Sequence, residues 1–357
     1  MKHKNLYQIG LAIALLILVL PACGSSNEET VISPTAQEVV LSEVPSVDEV
    51  EPVETEQEEE PEPTFEVLST ATVDPPRTDI GRFEVEGKIR NYVVFLPTNY
   101  NGTTNLPLVI YLHSYGWTAQ KGMNYTSLNQ VADTNDFIVV YPSGRSNWNS
   151  GVEDNPSWPT PDINDVGFIN ALIDTLSINY SIDLERIYAT GYSNGGFMAY
   201  KLACQLSHRI AAIASVGGVM STNIAAECNP LRPMPVLQIH GTEDTWVSIN
   251  GDTGWQSVDQ TLTYWIDFNN CVKVDTAILQ DTDSTDGSTV EKISYTNCTN
   301  NSNVIYYEVI NGGHTWPGAG PTGYSAGNTN QDFNASVEIW NFFKDYQLTP
   351  PSNDSNE

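Results

Sequence analysis

From residue 92 onward two apolar patterns alternate along the chain. Short runs in which nearly every position is apolar occur at 92–96, 107–112, 137–141, 186–190, 211–216, 236–240 and 304–310. Runs of this length, rich in β-branched and aromatic residues and closed by Gly, Pro or polar clusters, predict strands buried on both faces. Stretches of good helix formers without proline follow or separate them, at 166–176, 196–203, 258–268 and 335–346. Such alternation predicts an α/β domain with a mostly parallel sheet and helices on both faces. Ligands bind such sheets at the carboxyl ends of the strands, so chemistry is expected in the segments that follow each strand.

One of those segments is Gly191-Tyr192-Ser193-Asn194-Gly195, set between the strand run 186–190 and a helical run. Gly-x-Ser-x-Gly in strand–turn–helix context is a nucleophile elbow, in which the turn strains the serine and the glycines let strand and helix close around it. A serine hydroxyl needs a base, and the base an orienting acid; on α/β-hydrolase scaffolds the chain order is Ser, Asp or Glu, His. The histidines are His3, His113, His208, His240 and His314, and only the last two lie well beyond Ser193 and outside the adjacent helix. His240 ends the run 236–240 and is followed by Gly241-Thr242-Glu243-Asp244, which delivers carboxylates at a strand end. Asp244 is the expected acid, with Glu243 its rival, and His314 is then the histidine left downstream. Gly312 and Gly313 precede it and would let the loop swing the imidazole over Ser193. His113 and His240 are read as shaping the loops after their strands, and His208 as capping a helix end. For the oxyanion, one donor is expected from the backbone N–H of Asn194 and the second from that of Tyr115, in the loop after the strand run 107–112.

The stretches LPLVIYLHSYGWTA, YPSGRSNWN, DVGFINALIDTL, RIYATGYSNGGFMAYKLAC, RPMPVLQIHGTED and NGGHTWPG carry a family resemblance. From Tyr92 to Tyr346 the chain resembles the esterases grouped with polyhydroxybutyrate depolymerases and with the feruloyl and acetylxylan esterases of carbohydrate esterase family 1. The resemblance implies an α/β-hydrolase fold, a triad of Ser193, Asp244 and His314, and hydrolysis of carboxylic esters without metal or organic cofactor. The substrates it implies are feruloyl or acetyl esters of plant polysaccharide, or alternatively short hydroxyalkanoate esters. A serine peptidase would share the triad but would need a peptide-selecting domain; a binding protein on a hydrolase scaffold would not need the triad. One position departs from the family pattern: Ser114 follows the strand-end His113 where glycine is usual, so the oxyanion loop is expected to sit differently.

The N-terminus follows other rules. Lys2 and Lys4, an apolar run at 9–20 and then Pro21-Ala22-Cys23 form a secretory signal of lipoprotein type, cut before a lipid-bearing Cys23. Residues 1–22 are read as signal, 23–79 as a disordered acidic linker, 80–350 as the esterase domain and 351–357 as a disordered tail. The linker assignment rests on composition: from Gly24 to Asp79 there are sixteen acidic residues, one basic residue and one aromatic, Phe65. The whole chain has 44 Asp and Glu against 15 Lys and Arg, a formal net charge of −29, which argues against nucleic acid or anionic lipid headgroups as partners. The expected partners are the ester substrate and a membrane reached only through Cys23; a monomer at the cell envelope, extracellular or periplasmic, is expected.

Four further cysteines, Cys204, Cys228, Cys271 and Cys298, admit three pairings in an exported chain. Nearest neighbours are favoured, and the resemblance agrees: Cys204–Cys228 and Cys271–Cys298. No Cys-x-x-Cys spacing supports a zinc site. Asp281 to Gly287 does not fit the spacing of a calcium loop and reads as a turn before a strand. Trp117, Trp148, Trp158, Trp246 and Trp316 fall in loops at the expected active edge. Trp117, Trp148, Trp246 and Trp316 are the candidates to line a site for an aromatic acyl group, a sugar ring or a polymer chain.

Overall fold

The molecule is described here from a computed structural model, covering residues 65–68, 77–152, 162–321 and 326–348. These belong to one compact unit, Glu60–Glu357. All seven residues of one strand, Leu106–Leu112, are buried, because both faces of the central sheet are covered. In chain order the strands are β1 (Phe65–Leu68), β2 (Arg77–Val85), β3 (Lys88–Leu96), β4 (Leu106–Leu112), β5 (Ile138–Pro142), β6 (Ile182–Tyr192), β7 (Ala212–Val216), β8 (Val236–Gly241), β9 (Lys273–Ile278), β10 (Thr289–Thr296) and β11 (Val304–Ile310). The helices are α1 (Ala119–Tyr125), α2 (Leu128–Asn135), α3 (Asp165–Asn179), α4 (Asn194–Gln205), α5 (Thr222–Glu227), α6 (Val258–Phe268) and α7 (Ala335–Phe343).

The strands form one sheet in the order β1-β2-β3-β5-β4-β6-β7-β8-β11-β10-β9. The centre, β5-β4-β6-β7-β8-β11, is parallel throughout, and both wings are antiparallel. Alternate residues of β4 face opposite layers. Leu108, Ile110 and Leu112 join Phe168 and Leu172 of α3, Phe197 of α4 and Trp265 of α6. Val109 and Tyr111 join Leu128 and Val131 of α2 and Ile339, Trp340 and Phe343 of α7. This is the expected α/β-hydrolase architecture, with helices on both faces of a mostly parallel sheet.

Several boundaries differ from the sequence reading. The border expected at residue 80 falls inside β2, which starts at Arg77, and Phe65–Leu68 add an antiparallel strand within the stretch assigned to linker. β2 has one face against the core and one in solvent, so its polar residues do not mark it as linker. The edge strand β9 and the short helices α1, α2 and α5 were not expected. Every residue of β9 is exposed at the sheet edge, so it carries no burial pattern to read. The turn expected at Asp281 to Gly287 is there: Asp332 accepts from the backbone N–H groups of Thr282 and Asp283, and β10 follows. Cys204 is bonded to Cys228 and Cys271 to Cys298. Among the described residues no helix is long and apolar enough to cross a membrane. The expected signal, Cys23, Trp158 and the C-terminal tail lie outside the described residues.

Candidate active site

The elbow forms where β6 runs into α4. Ser193 is the N-cap of α4, with φ 56° and ψ −119°. A non-glycine residue there carries strain on the order of 1–3 kcal/mol and is held by its surroundings. The Ser193 N–H donates to the Val216 carbonyl at 2.8 Å, and its own carbonyl accepts from Gly196 and Phe197. The flanking glycines are required for close approach. A Cβ on Gly191 would lie 2.3 Å from the Gly195 carbonyl, and one on Gly195 would lie 2.0 Å from the Leu112 oxygen. Asn194 is the first residue of α4, where a backbone N–H has no acceptor within the helix.

Asp244 follows β8 in a tight turn. Its Oδ1 accepts from the backbone N–H groups of Trp246 and Val247 at 2.9 and 2.8 Å. Its Oδ2 meets Nδ1 of His314 at 2.6 Å and lies 3.4 Å from Nε2 of His240. Burial alone would raise the carboxyl pKa; the charge of His314 and hydrogen bonds from His240 and His314 outweigh it and hold Asp244 well below the usual carboxylate range. The neighbouring Glu243 is exposed, so it is Asp244 whose carboxylate reaches an imidazole.

His314 follows β11, and its N–H donates to the Ala326 carbonyl. A Cβ on Gly313 would lie 1.9 Å from that carbonyl, so glycine before the histidine is a steric requirement. Because Nδ1 donates to Asp244, the neutral ring has its acceptor at Nε2. The imidazole stacks on Tyr192, the residue before Ser193, with centroids 5.1 Å apart. Tyr192 in turn donates its hydroxyl to the His314 carbonyl at 2.6 Å. The ring also abuts Gly217, where a Cβ would lie 3.2 Å from Cε1. Ser193 and His314 thus flank the same corner, Val216 and Gly217, at the carboxyl end of β7.

His240 supports the acid. Tyr200 donates to Oε1 of Gln238 at 2.6 Å, and Nε2 of Gln238 donates to Nδ1 of His240 at 3.0 Å. An Nδ1 that accepts leaves the proton on Nε2, which donates to the Val247 carbonyl at 2.8 Å and faces Asp244. The buried chain Tyr200–Gln238–His240 therefore ends on the turn that carries the acid.

The loop after β4 holds His113, Ser114 and Tyr115. Ser114 does not have a positive φ; the left-handed residue of this loop is Gly116, at φ 68°. Serine therefore fits at position 114 without strain, and the expected displacement of the loop has no backbone cause. A segment after β5, 143–152, ties this loop to the elbow. Gly116 N–H donates to the Ser146 carbonyl, and Trp148 Nε1 donates to the His113 carbonyl at 2.9 Å. The Asn194 side chain accepts from Trp148 N–H at 2.7 Å and donates to Ser150 Oγ at 3.0 Å. Lys201 of α4 donates to the Asn149 carbonyl, and Asp165 accepts from Asn149 N–H. Asp165 is itself paired with buried Arg90 at 2.6 Å, and Arg90 also donates to the Ser143 carbonyl.

The tryptophans separate into two groups. Trp148 and Trp316 are 1% exposed, with indole N–H groups bonded to the His113 carbonyl and to Ser336. They pack the supports of the site and do not line it, which corrects their assignment as substrate contacts. Trp246 is 50% exposed and stacks parallel on His314, with centroids 6.0 Å apart. Trp117 is buried against Tyr192 and Tyr125; with Tyr125, Lys121 and Asn124 it lines an open cavity of about 450 Å³.

The family model described as phospholipase/carboxylesterase matches residues 101–295. A bifunctional acetylxylan esterase/xylanase of Neocallimastix patriciarum is 30% identical over 159 residues, 44% of this chain and 22% of that protein. Feruloyl esterase B of Piromyces equi is 28% identical over 63% of this chain and 42% of its own length. Feruloyl esterase D of Neurospora crassa is 26% identical over 72% of this chain and 83% of its own length. The chain thus spans less than half the length of several relatives it matches. The solved acetyl xylan esterase of Aspergillus awamori aligns over 71% of this chain and 94% of its own, at 15% identity and a TM-score of 0.46. With more than half of its length matched by the family model, the chain belongs to the phospholipase/carboxylesterase family of α/β-hydrolases.

Proposed function

We propose that this protein is a serine esterase in which Ser193 is the nucleophile, His314 the general base and Asp244 its orienting acid. The observation that carries the reading is the 2.6 Å Asp244–His314 contact beside a serine held at positive φ. Ser193 Oγ attacks the ester carbonyl while His314 Nε2 takes its proton, and Asp244 stabilises the imidazolium. N–H groups of Asn194 and Tyr115 receive the oxyanion. Collapse expels the alcohol, which takes the proton from His314. Water, deprotonated by the same imidazole, then attacks the acyl-enzyme and releases the acid.

The substrate class proposed is feruloyl or acetyl esters of plant polysaccharide. Support comes from relatives named feruloyl and acetylxylan esterases, and from Trp246, whose exposed ring beside His314 offers a flat apolar face to an aryl or sugar ring. Export with a lipid on Cys23 is proposed from the sequence pattern and suits the two disulfides. Mass spectrometry of the mature N-terminal peptide tests it: an unmodified Cys23 within an uncut chain would refute it.

An initial-rate panel of methyl ferulate, acetylated xylan fragments, a hydroxybutyrate oligomer and nitrophenyl acetate tests the function. Preference for the first two is expected, with activity lost on the order of 10⁴-fold or more in Ser193→Ala. Preference for the oligomer would replace the substrate class, and full activity in Ser193→Ala would end the triad reading.

A further inference from the structure

His113 lies outside the triad and is completely buried at the end of β4. Its two ring nitrogens have different partners. Gly144 donates its backbone N–H to Nε2 at 3.0 Å, so Nε2 is unprotonated. The proton therefore sits on Nδ1, which lies 2.8 Å from the carbonyl oxygen of Ser114 and donates to it. Trp117 N–H donates to the same oxygen at 3.1 Å. Burial pushes the imidazole below its ordinary pKa, which keeps this neutral tautomer in place. The ring packs on Trp148, centroids 5.0 Å apart, and the Trp148 indole returns a hydrogen bond to the His113 carbonyl.

The consequence lies in the next peptide plane. A trans peptide is planar, and its C=O and N–H point in opposite directions. Fixing the Ser114 oxygen toward the His113 ring fixes the direction of the Tyr115 N–H away from it. The following peptide is held too, by Gly116 N–H on the Ser146 carbonyl. We infer that His113 is a positioning residue for the oxyanion hole, clamping the Ser114–Tyr115 peptide so that the Tyr115 N–H faces the developing negative charge. This rests on the serine-esterase reading above, in which Tyr115 supplies one of the two donors. It also explains how serine stands at position 114: the carbonyl is aimed by a side chain, not by a glycine conformation.

Two substitutions separate the two ring nitrogens. In His113→Asn the amide Nδ2 occupies the place of the Nδ1 donor and the acceptor for Gly144 is lost. In His113→Gln the amide Oε1 occupies the place of the Nε2 acceptor and the clamp on Ser114 is lost. The expected result is a kcat about 10²-fold lower in His113→Gln with KM within about threefold, since loss of one oxyanion donor costs about 10²–10³ in kcat. Affinity for a trifluoromethyl ketone, whose hemiketal oxygen takes the oxyanion position, should fall in parallel. His113→Asn should retain kcat within about tenfold, well above His113→Gln. Equal impairment of the two variants, or a His113→Gln kcat within threefold of wild type, would overturn the inference. Should neither variant fold, nitrogen-15 NMR of histidine-labelled wild type decides: Nδ1–H at His113 is expected, and Nε2–H would overturn it. Ser193→Ala keeps the two levels apart. If it is active, the esterase reading fails; if it is dead while His113→Gln matches wild type, only the role of His113 fails.

Discussion

The two sides of the site are held by different forces. On the acid–base side a buried carboxylate faces two imidazoles, and glycines 217 and 313 make room for His314 to approach. On the proposed oxyanion side the contacts are hydrogen bonds among His113, Trp148 and Asn194, with one more from the Lys201 ammonium, braced from behind by one buried ion pair. The first side holds its protons by charge; the second fixes the direction of peptide planes. Damage to the first should therefore appear in proton transfer and pH dependence, and damage to the second in transition-state stabilisation and in the stability of the segment 143–152.

The largest expected effect is on the charged side. Asp244→Asn should lower kcat by about 10⁴-fold by removing the acceptor that holds the His314 tautomer, while Glu243→Gln should stay within about twofold. Steady-state kinetics of the two variants checks this. The same residue predicts a pH signature. Asp244 is held below its ordinary value of 3.8, so its charged form stabilises the fold fully above about pH 4, and that contribution is lost as pH falls toward the folded-state value. The Tm difference between wild type and Asp244→Asn should shrink as pH falls below about 4. A difference that grows on acidification would contradict the assignment.

Next in size is the brace on the other side. Arg90→Ala leaves Asp165 buried without its partner and should cost about 3–5 kcal/mol in denaturant unfolding. Arg90→Met with Asp165→Leu should recover part of that stability, because no lone charge stays buried, yet leave kcat below wild type because Asn149 loses its acceptor. Full recovery of both would make the pair a packing feature unrelated to the site.

How much of this was legible in the sequence follows from where each signal is written. The central strands are covered on both faces and so read as unbroken apolar runs; β4, β5 and β7 have no exposed residue. The elbow is a contiguous pentapeptide, and Asp244 and His314 sit directly after strands. The wings wrote no such pattern: β2 is half in solvent and β9 wholly so. The supports of the site were hidden because their partners are distant, with Arg90 and Asp165 75 positions apart and His113 and Gly144 31 apart. Arg90 shares its strand with Lys88 and Asn91, so nothing local set it apart as half of a buried ion pair. A tryptophan in a loop does not declare which way it faces, which is why Trp148 and Trp316 were placed in the site and belong to its foundations.

The smallest expected effect sharpens the contrast between buried and exposed rings. Trp246→Ala should raise KM for methyl ferulate several-fold, consistent with about 0.5–1.5 kcal/mol for an aromatic pair, and leave nitrophenyl acetate nearly unchanged. An equal effect on both substrates would mean that Trp246 acts by supporting His314 and not by binding the acyl group.

Covalent trapping tests the central claim most directly. The purified protein is treated with a fluorophosphonate, and the adduct is located by peptide mass spectrometry, alongside Ser193→Ala and Asp244→Asn. One adduct is expected, on Ser193, absent in Ser193→Ala and formed far more slowly in Asp244→Asn. No adduct in the wild type, or an adduct on another residue, would contradict the claim.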